Sequence, residues 1–266
     1  YYTKYIVKRY LIILYIVMKD LLLFDVDGTL AESSQMINDK MRDMLITKKS
    51  QGYDIGVVGG GKIDKVLCQL NGVSMNHYFT ECGCIYHIIK DDSPSNNISL
   101  VNQLSTIHKK NIRDHELYPQ INKLVKQCLH FLSKVDYTIS GHFVDLRCGI
   151  LYISLIGMSA TLDEREVFKK LDSEHSYRKK IISILKDDLM EMGISDRVSV
   201  YGGGLVGISI FPSEYDKVQV IPEVTHKYDK IHYFGDKYED NGNDQLIINH
   251  SSIIGHPVDT PQDTID

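Results

Sequence analysis

Residues 21–30 read Leu-Leu-Leu-Phe-Asp-Val-Asp-Gly-Thr-Leu, and no other stretch restricts the fold as much. Four apolar residues in succession suit a strand covered on both faces, as in a parallel sheet layered between helices. Asp25 and Asp27 then stand at the carboxyl end of that strand, where open α/β sheets bind their ligands. Gly28 lets the chain turn and lets its backbone come close to a ligand. Two carboxylates spaced i, i+2 repel each other unless a proton or a cation lies between them. A hard divalent cation such as Mg²⁺ is satisfied by carboxylate oxygens and substrate phosphate. One carboxylate can then attack phosphorus while the other acts as general acid and base. Taken alone, the same pair is more often just two solvated acids at a strand end.

Composition narrows the partners. The 266 residues suffice for one large domain or two modest ones. A formal net charge of −5 leaves no basic footprint for nucleic acid, so an anionic substrate must be held by metal, Lys or Arg. The five cysteines are odd in number and form no C-x-x-C pair, which signals neither a disulfide framework nor a zinc site. Reduced thiols and a cytoplasmic setting are expected. The uncharged run 10–18 is too short to span a bilayer, which takes about 20 residues. No small-residue cleavage site follows it, and no membrane partner is expected. The chain starts with Tyr and carries Met18 just before the strand. Residues 1–17 are therefore expected to be an extension outside the fold.

Along the chain, residues 36–50 show helical spacing through Ile37, Met41, Met44 and Leu45, closed by Gly52. Residues 54–58 read as a second strand, running into Gly59-Gly60-Gly61 and a helix through Ile63, Val66, Leu67 and Leu70. Such a strand end can offer backbone N–H groups to phosphate. Two extended pieces flank Glu81-Cys82-Gly83, and the polar run 91–97 is the clearest linker. Its position divides the chain into residues 18–91 and 213–266, an α/β doubly wound Rossmann-like core, and residues 92–212, an inserted α+β domain. In that insert a helix is expected over 118–135, and a hairpin around Cys148-Gly149. A capping box at Thr161-x-x-Glu164 opens a further helix; another spans 176–192, and strands cover 197–201 and 206–211. After Pro212, Asp216-Lys217 opens a short helix. A strand at 230–234 then runs into Gly235-Asp236, with Gly242-Asn243-Asp244 close behind. No final helix is expected beyond Pro261.

The strings F-D-V-D-G-T-L, G-V-V-G-G, E-C-G, F-V-D-L-R-C-G-I-L-Y-I-S-L-I-G, D-E-R, I-F-P-S-E-Y-D-K and Y-F-G-D-K…G-N-D occur in this order. Together they resemble the eukaryotic-type phosphomannomutases, members of the haloacid-dehalogenase superfamily with a cap of the second type. The resemblance runs from Lys19 to about Thr264. It implies interconversion of mannose 6-phosphate and mannose 1-phosphate for GDP-mannose synthesis, with a hexose 1,6-bisphosphate as activator and a homodimer formed through the cap. It implies Asp25 as the nucleophile, Asp27 as general acid and base, and Lys217 as the cation that neutralises the phosphoryl oxygens. Mg²⁺ would be held by Asp25, the Asp27 carbonyl and Asp236, with Asp244 close by. Arg147 and Arg165 would grip the phosphate at the far end of the sugar, with Gly60, Gly61 and Ser209 lining the substrate site.

The departures from that pattern gather on the sugar side. Ser34 and Met158 stand where the family has arginine, Leu155 where it has proline and Cys82 where it has asparagine. Gly61 replaces a serine, and Gly207 and Ser209 replace the Ser and Asp that meet sugar hydroxyls. Each lost charge-assisted hydrogen bond is worth about 1.5–3 kcal/mol. Two other readings therefore stand beside the mutase: a sugar-phosphate phosphatase of the same superfamily, and a catalytically silent dimeric homologue.

Overall fold

The computed structural model describes residues 19–90, 100–240 and 242–266. The expected extension 1–17 and the linker 91–97 lie outside the described residues. Strand β1 (Lys19–Phe24) sits inside a seven-stranded sheet. On one side it pairs in parallel with β2 (Asp54–Val58), which pairs with β3 (His77–Thr80). Strands β4 (Ile85–Ile89) and β5 (Leu104–Lys109) follow in antiparallel pairing. On the other side of β1 lie β10 (Tyr228–Gly235) and β11 (Ile254–Pro257), both parallel to it.

The apolar run of β1 is explained by its two covered faces. Leu22 and Phe24 pack with Met41 and Leu45 of helix α1 (Asp39–Ser50) and Val66 of α2 (Ile63–Gln69). Leu21 and Leu23 face the other way, onto Val220, Ile221, Val224 and Ile247. Burying one such side chain contributes about 1.5–3 kcal/mol, so a charge anywhere in this run would be disruptive. Helix α1 begins at Asp39 and not at Met36, because Asn38 caps it by accepting from Met41 N at 2.9 Å and Met36 stays exposed.

The second unit is a four-stranded antiparallel sheet in the order β6 (Val144–Leu146), β7 (Leu151–Ser154), β9 (Gly207–Pro212), β8 (Val198–Gly203). Helices α3 (Tyr118–Leu132), α4 (Leu162–His175) and α5 (Tyr177–Glu191) cover one face. Ile121, Leu124, Cys128, Phe168, Ile181 and Leu185 pack there against Leu151, Ile153, Val200, Ile208 and Ile210. The Thr161/Glu164 capping box is present in full.

Two sequence expectations change. The inserted unit does not begin at residue 92, because β5 pairs with β4 and extends the core sheet to Lys109. Leu-Ser-Thr-Ile-His-Lys is a half-exposed edge strand whose apolar signal is weak. The polar tail does contain order: β11 joins the sheet, and Pro261–Ile265 is a short helix capped reciprocally by Thr260 and Asp263. Thr264 Oγ1 ties this helix to Thr29 O at 2.8 Å. Five residues are too few for a helical period to be visible.

Candidate active site

Asp25 follows β1 directly, and its N–H still donates to Phe234 O at 2.9 Å. The chain then closes a tight loop, with Leu30 N and Ala31 N both donating to Val26 O. Gly28 has φ +93°, and a Cβ there would stand 2.6 Å from Asp236 Cγ. A Cβ on Gly235 would likewise come within 2.6 Å of Asp244 Cγ. These two glycines therefore let three carboxylates converge. One oxygen each of Asp25, Asp236 and Asp244 lies within 4.8 Å of the others.

Lys217 closes the cluster. It is fully buried, with Nζ 2.9 Å from Asp25 Oδ1 and 2.7 Å from Asp244 Oδ1. Burial pushes its pKa down, and Asp244 with Asp25 push it up by more, so it stays a cation. Asp244 also accepts from Tyr233 Oη at 2.5 Å and from Lys237 N at 3.0 Å. Asp25 is less well compensated. Burial, then the charges of Asp244 and Asp236, outweigh the pull of Lys217 and raise its pKa to about 7. Asp236 pairs with Lys237 through Oδ2, whereas its Oδ1 is buried without a partner. Excess negative charge, an orphaned oxygen and an all-oxygen donor set fit a hard divalent cation such as Mg²⁺.

The carboxylate of Asp27 is held apart from this trio. It accepts from Lys65 Nζ at 2.6 Å, Ser34 N at 2.7 Å and Gln69 Nε2 at 2.8 Å. Burial alone would raise its pKa, but Lys65 and the hydrogen bonds from Ser34 and Gln69 hold it below the ordinary carboxylate range. Of the four aspartates considered for the metal, Asp25, Asp236 and Asp244 bring their carboxylates together. Lys65 and Gln69 were not apparent from the sequence. Their i, i+4 spacing on α2 puts them on one face, but nothing local says that this face meets Asp27.

The glycine loop adjoins the cluster. A Cβ on Gly59 would be 3.9 Å from Asp25 Oδ1. The loop is shaped by residues 81–82, with Cys82 N donating to Gly59 O and Glu81 N to Gly61 O. Glu81 and Cys82 both have positive φ, at 51° and 58°, a conformation that costs non-glycine residues energy. Among the described residues, the N–H groups of Gly60 and Gly61 have no protein acceptor. The second unit reaches this loop through Arg147, whose Nη1 donates to Gly60 O at 3.0 Å, and through Asp145, 3.3 Å from Lys62 Nζ. Arg165 donates to Ala160 O and Met158 O. Ser209 lies opposite Tyr152 in the sheet. Tyr233, bonded to Asp244, and Tyr152, opposite Ser209, are neighbours of these residues that the sequence reading does not single out.

No helix among the described residues is long and apolar enough to cross a membrane. Residues 41–266 match the family described as "Eukaryotic phosphomannomutase". The chain is 35% identical over 248 residues to "Phosphomannomutase 1" of Dictyostelium discoideum, covering 91% of this chain and 92% of that one. It is 31% identical over 247 residues to "Phosphomannomutase" of Drosophila melanogaster, covering 92% of each. Among solved structures, the N-terminally truncated IMP-nucleotidase of Plasmodium falciparum superposes with a TM-score of 0.65 at 14% identity, covering 93% of this chain and 68% of that one. A trehalose-6-phosphate phosphatase related protein superposes at 0.50 with 13% identity, covering 90% and 88%. These two likenesses concern the fold alone.

Proposed function

The chain belongs to the eukaryotic phosphomannomutase family, and from that premise we propose that it interconverts mannose 6-phosphate and mannose 1-phosphate by phosphoryl transfer through Asp25. The observation that carries this reading is the buried Lys217 bridging Asp25 and Asp244, with Asp236 beside them. Phosphoryl transfer asks a protein mainly for positioning and for charge stabilisation on the equatorial oxygens. Lys217 Nζ fixes one carboxylate oxygen of Asp25 at 2.9 Å, and the other is the nucleophile. As it attacks phosphorus, the bond to the sugar or bisphosphate oxygen breaks and an aspartyl phosphate forms. The ammonium of Lys217 is already in place for the charge that develops.

Asp27 supplies and recovers the proton on the sugar oxygen. To do so its carboxylate must leave Lys65 and Gln69 and turn toward the reacting group. Asp25, Asp236 and Asp244 are the residues that would hold Mg²⁺, with the Asp27 carbonyl. When bound, that ion supplies positive charge next to the transferring phosphoryl group. The N–H groups of Gly60 and Gly61 are available to phosphate oxygens. A hexose 1,6-bisphosphate that turns over within the cleft accounts for both directions of exchange, Arg147 and Arg165 holding the phosphate that is not reacting. Closure between the two units, with Asp145 against Lys62, keeps water from the aspartyl phosphate. The same reading places the chain in cytoplasmic GDP-mannose supply, consistent with five unpaired cysteines. It also includes a homodimer through the second unit, where Leu162 and Val167 of α4 are exposed.

A phosphorus NMR time course with mannose 1-phosphate, Mg²⁺ and a trace of glucose 1,6-bisphosphate tests the proposal. A growing 6-phosphate resonance is expected. Growth of inorganic phosphate alone would replace the mutase by a phosphatase, a reading favoured by Met158 and Gly207 on the sugar side.

A further inference from the structure

The helix-free face of the antiparallel sheet looks toward the glycine loop, as the Asp145–Lys62 and Arg147–Gly60 contacts require. Across that face one cross-strand row reads Asp145, Tyr152, Ser209, Tyr201. Tyr152 lies flat in its middle because glycines make room. A Cβ on Gly203 would come within 2.9 Å of Tyr152 Cε2, and one on Gly207 would run into the ring itself. The Tyr152 hydroxyl donates to Gly203 O at 3.1 Å. On top of the ring, 4.9 Å from its centroid, rests the guanidinium of Arg147. Its Nε bonds Asp145 Oδ2 at 2.8 Å while Nη1 reaches Gly60 O.

We infer that Tyr152 is the positioning residue for Arg147, and that Gly207 must stay without a side chain so that the ring can lie beneath the guanidinium. The inference rests on Arg147 gripping a substrate phosphate, as proposed above. An aromatic face attracts a planar guanidinium and restricts its swing, yet uses none of the in-plane N–H donors that a phosphate needs. Asp145 fixes one edge of the group. The remaining edge points across the cleft, at present onto Gly60 O, and is the edge offered to an anion. Tyr152 and Gly207 themselves present no free hydroxyl or amide, since the phenol is taken up by Gly203 O. At Tyr152 and Gly207 this face therefore serves the phosphate of a phosphorylated sugar and not the hydroxyls of its ring.

The test is a double-mutant cycle on the full chain with Mg²⁺, reading inorganic phosphate binding by titration calorimetry. Tyr152→Leu should weaken binding about tenfold and Arg147→Met about thirtyfold. The double variant should be no weaker than Arg147→Met alone, because Tyr152 acts through Arg147. Tyr152→Phe, which keeps the ring, should bind within about twofold of the parent. With mannose 1-phosphate as substrate, the losses should fall on KM and leave kcat nearly unchanged. Additive losses in the double variant would overturn the inference. So would a folded Tyr152→Leu that binds like the parent, or an Arg147→Met that does. Should Tyr152→Leu fail to fold, Tyr152→Met, which fills the site without an aromatic face, makes the same comparison against Tyr152→Phe. A parent enzyme that binds phosphate but turns over no mannose phosphate would refute the mutase reading, while the phosphate cycle still decides the role of Tyr152.

Discussion

Lowering the pH should destabilise this protein through one buried histidine, by an amount that its surroundings set. His77 on β3 is nearly inaccessible, with Nδ1 2.8 Å from Tyr86 Oη and Nε2 2.5 Å from Tyr228 Oη. Tyr228 donates its own proton to Asp54 Oδ2 at 2.8 Å, so it accepts from His77 Nε2–H. Nδ1 is then the acceptor for Tyr86, and the neutral imidazole is fully satisfied. A second proton on Nδ1 would oppose the Tyr86 hydroxyl. Burial first, and the charge of Lys227 next, bring the His77 pKa down from 6.5 to about 4, against the pull of Asp54. In the unfolded chain the ring takes up a proton near 6.5, so between those two values the unfolded state binds more protons. Stability is therefore complete above about pH 6.5 and falls as the pH drops toward 4. The full window is worth about 3 kcal/mol, of which about 2 kcal/mol is already lost at pH 5. Urea unfolding at pH 8 and pH 5 measures it. His77→Gln, which cannot ionise, should lose about 1 kcal/mol at pH 8 from its poorer hydrogen bonding, yet show a pH 8-to-5 difference about 2 kcal/mol smaller than the parent. Equal pH dependence in the two proteins would refute the assignment of a neutral, doubly bonded His77.

Three further outcomes concern the site. Asp25→Asn should abolish formation of an acid-stable, hydroxylamine-sensitive phosphoprotein and lower turnover by at least about a thousandfold, read in the phosphorus NMR assay. Lys65→Met should move the acidic limb of the kcat–pH profile to higher pH, because burial then pushes the Asp27 carboxyl up without the Lys65 ammonium to hold it down; Lys65→Arg should keep the parental profile. Gly28→Ala forces a Cβ into Asp236 from a φ of +93°, and should raise the Mg²⁺ concentration for half-maximal activity about tenfold or more. A Gly28→Ala enzyme with parental Mg²⁺ dependence would remove Asp236 from the metal site.

What could be read from the sequence followed from how local each signal is. The β1 run, its two-faced burial and the exit into Asp25 are properties of ten consecutive residues, so periodicity alone revealed them. Lys217, Asp236 and Asp244 were recognisable because each sits in a short string beside a strand end or helix start. By contrast, Lys65 and Gln69 meet Asp27 across 38 and 42 residues, and their own surroundings look like an ordinary solvated helix face. Strand β5 failed for a different reason: an edge strand with half-exposed residues carries little alternation, and the polar linker before it drew the boundary too early. Tyr152 illustrates a third kind of miss. Its meaning depends on Gly203 and Gly207, which precede and follow the β8–β9 turn and look like plain turn residues until the sheet register brings them under its ring.

The two halves of the cleft have been constrained differently, and the physical reason lies in their charge balance. In the core, three carboxylates and one buried ammonium cannot be altered singly. Removing Lys217 would strand Asp25 and Asp244 without their cation, and breaking a buried pair in this way costs about 3–5 kcal/mol. Phosphoryl-transfer chemistry and stability are thus guarded by the same contacts. The sheet face opposite carries no such interlock. Met158 and Ser209 sit at partly open positions where exchanging a polar group changes substrate contacts and little else, and Tyr152 fills the volume that Gly207 leaves free. A change of sugar specificity is therefore accessible through the second unit without disturbing Asp25. The reverse does not hold: a change at Lys217, Asp244 or Tyr233 would remove chemistry and stability together. Comparing Tyr233→Phe with Ser209→Ala, at a partly open position of the sheet face, separates the two cases. The first should lower both thermal stability and turnover, through the bond to Asp244 at 2.5 Å, whereas the second should shift KM with the melting temperature nearly unchanged.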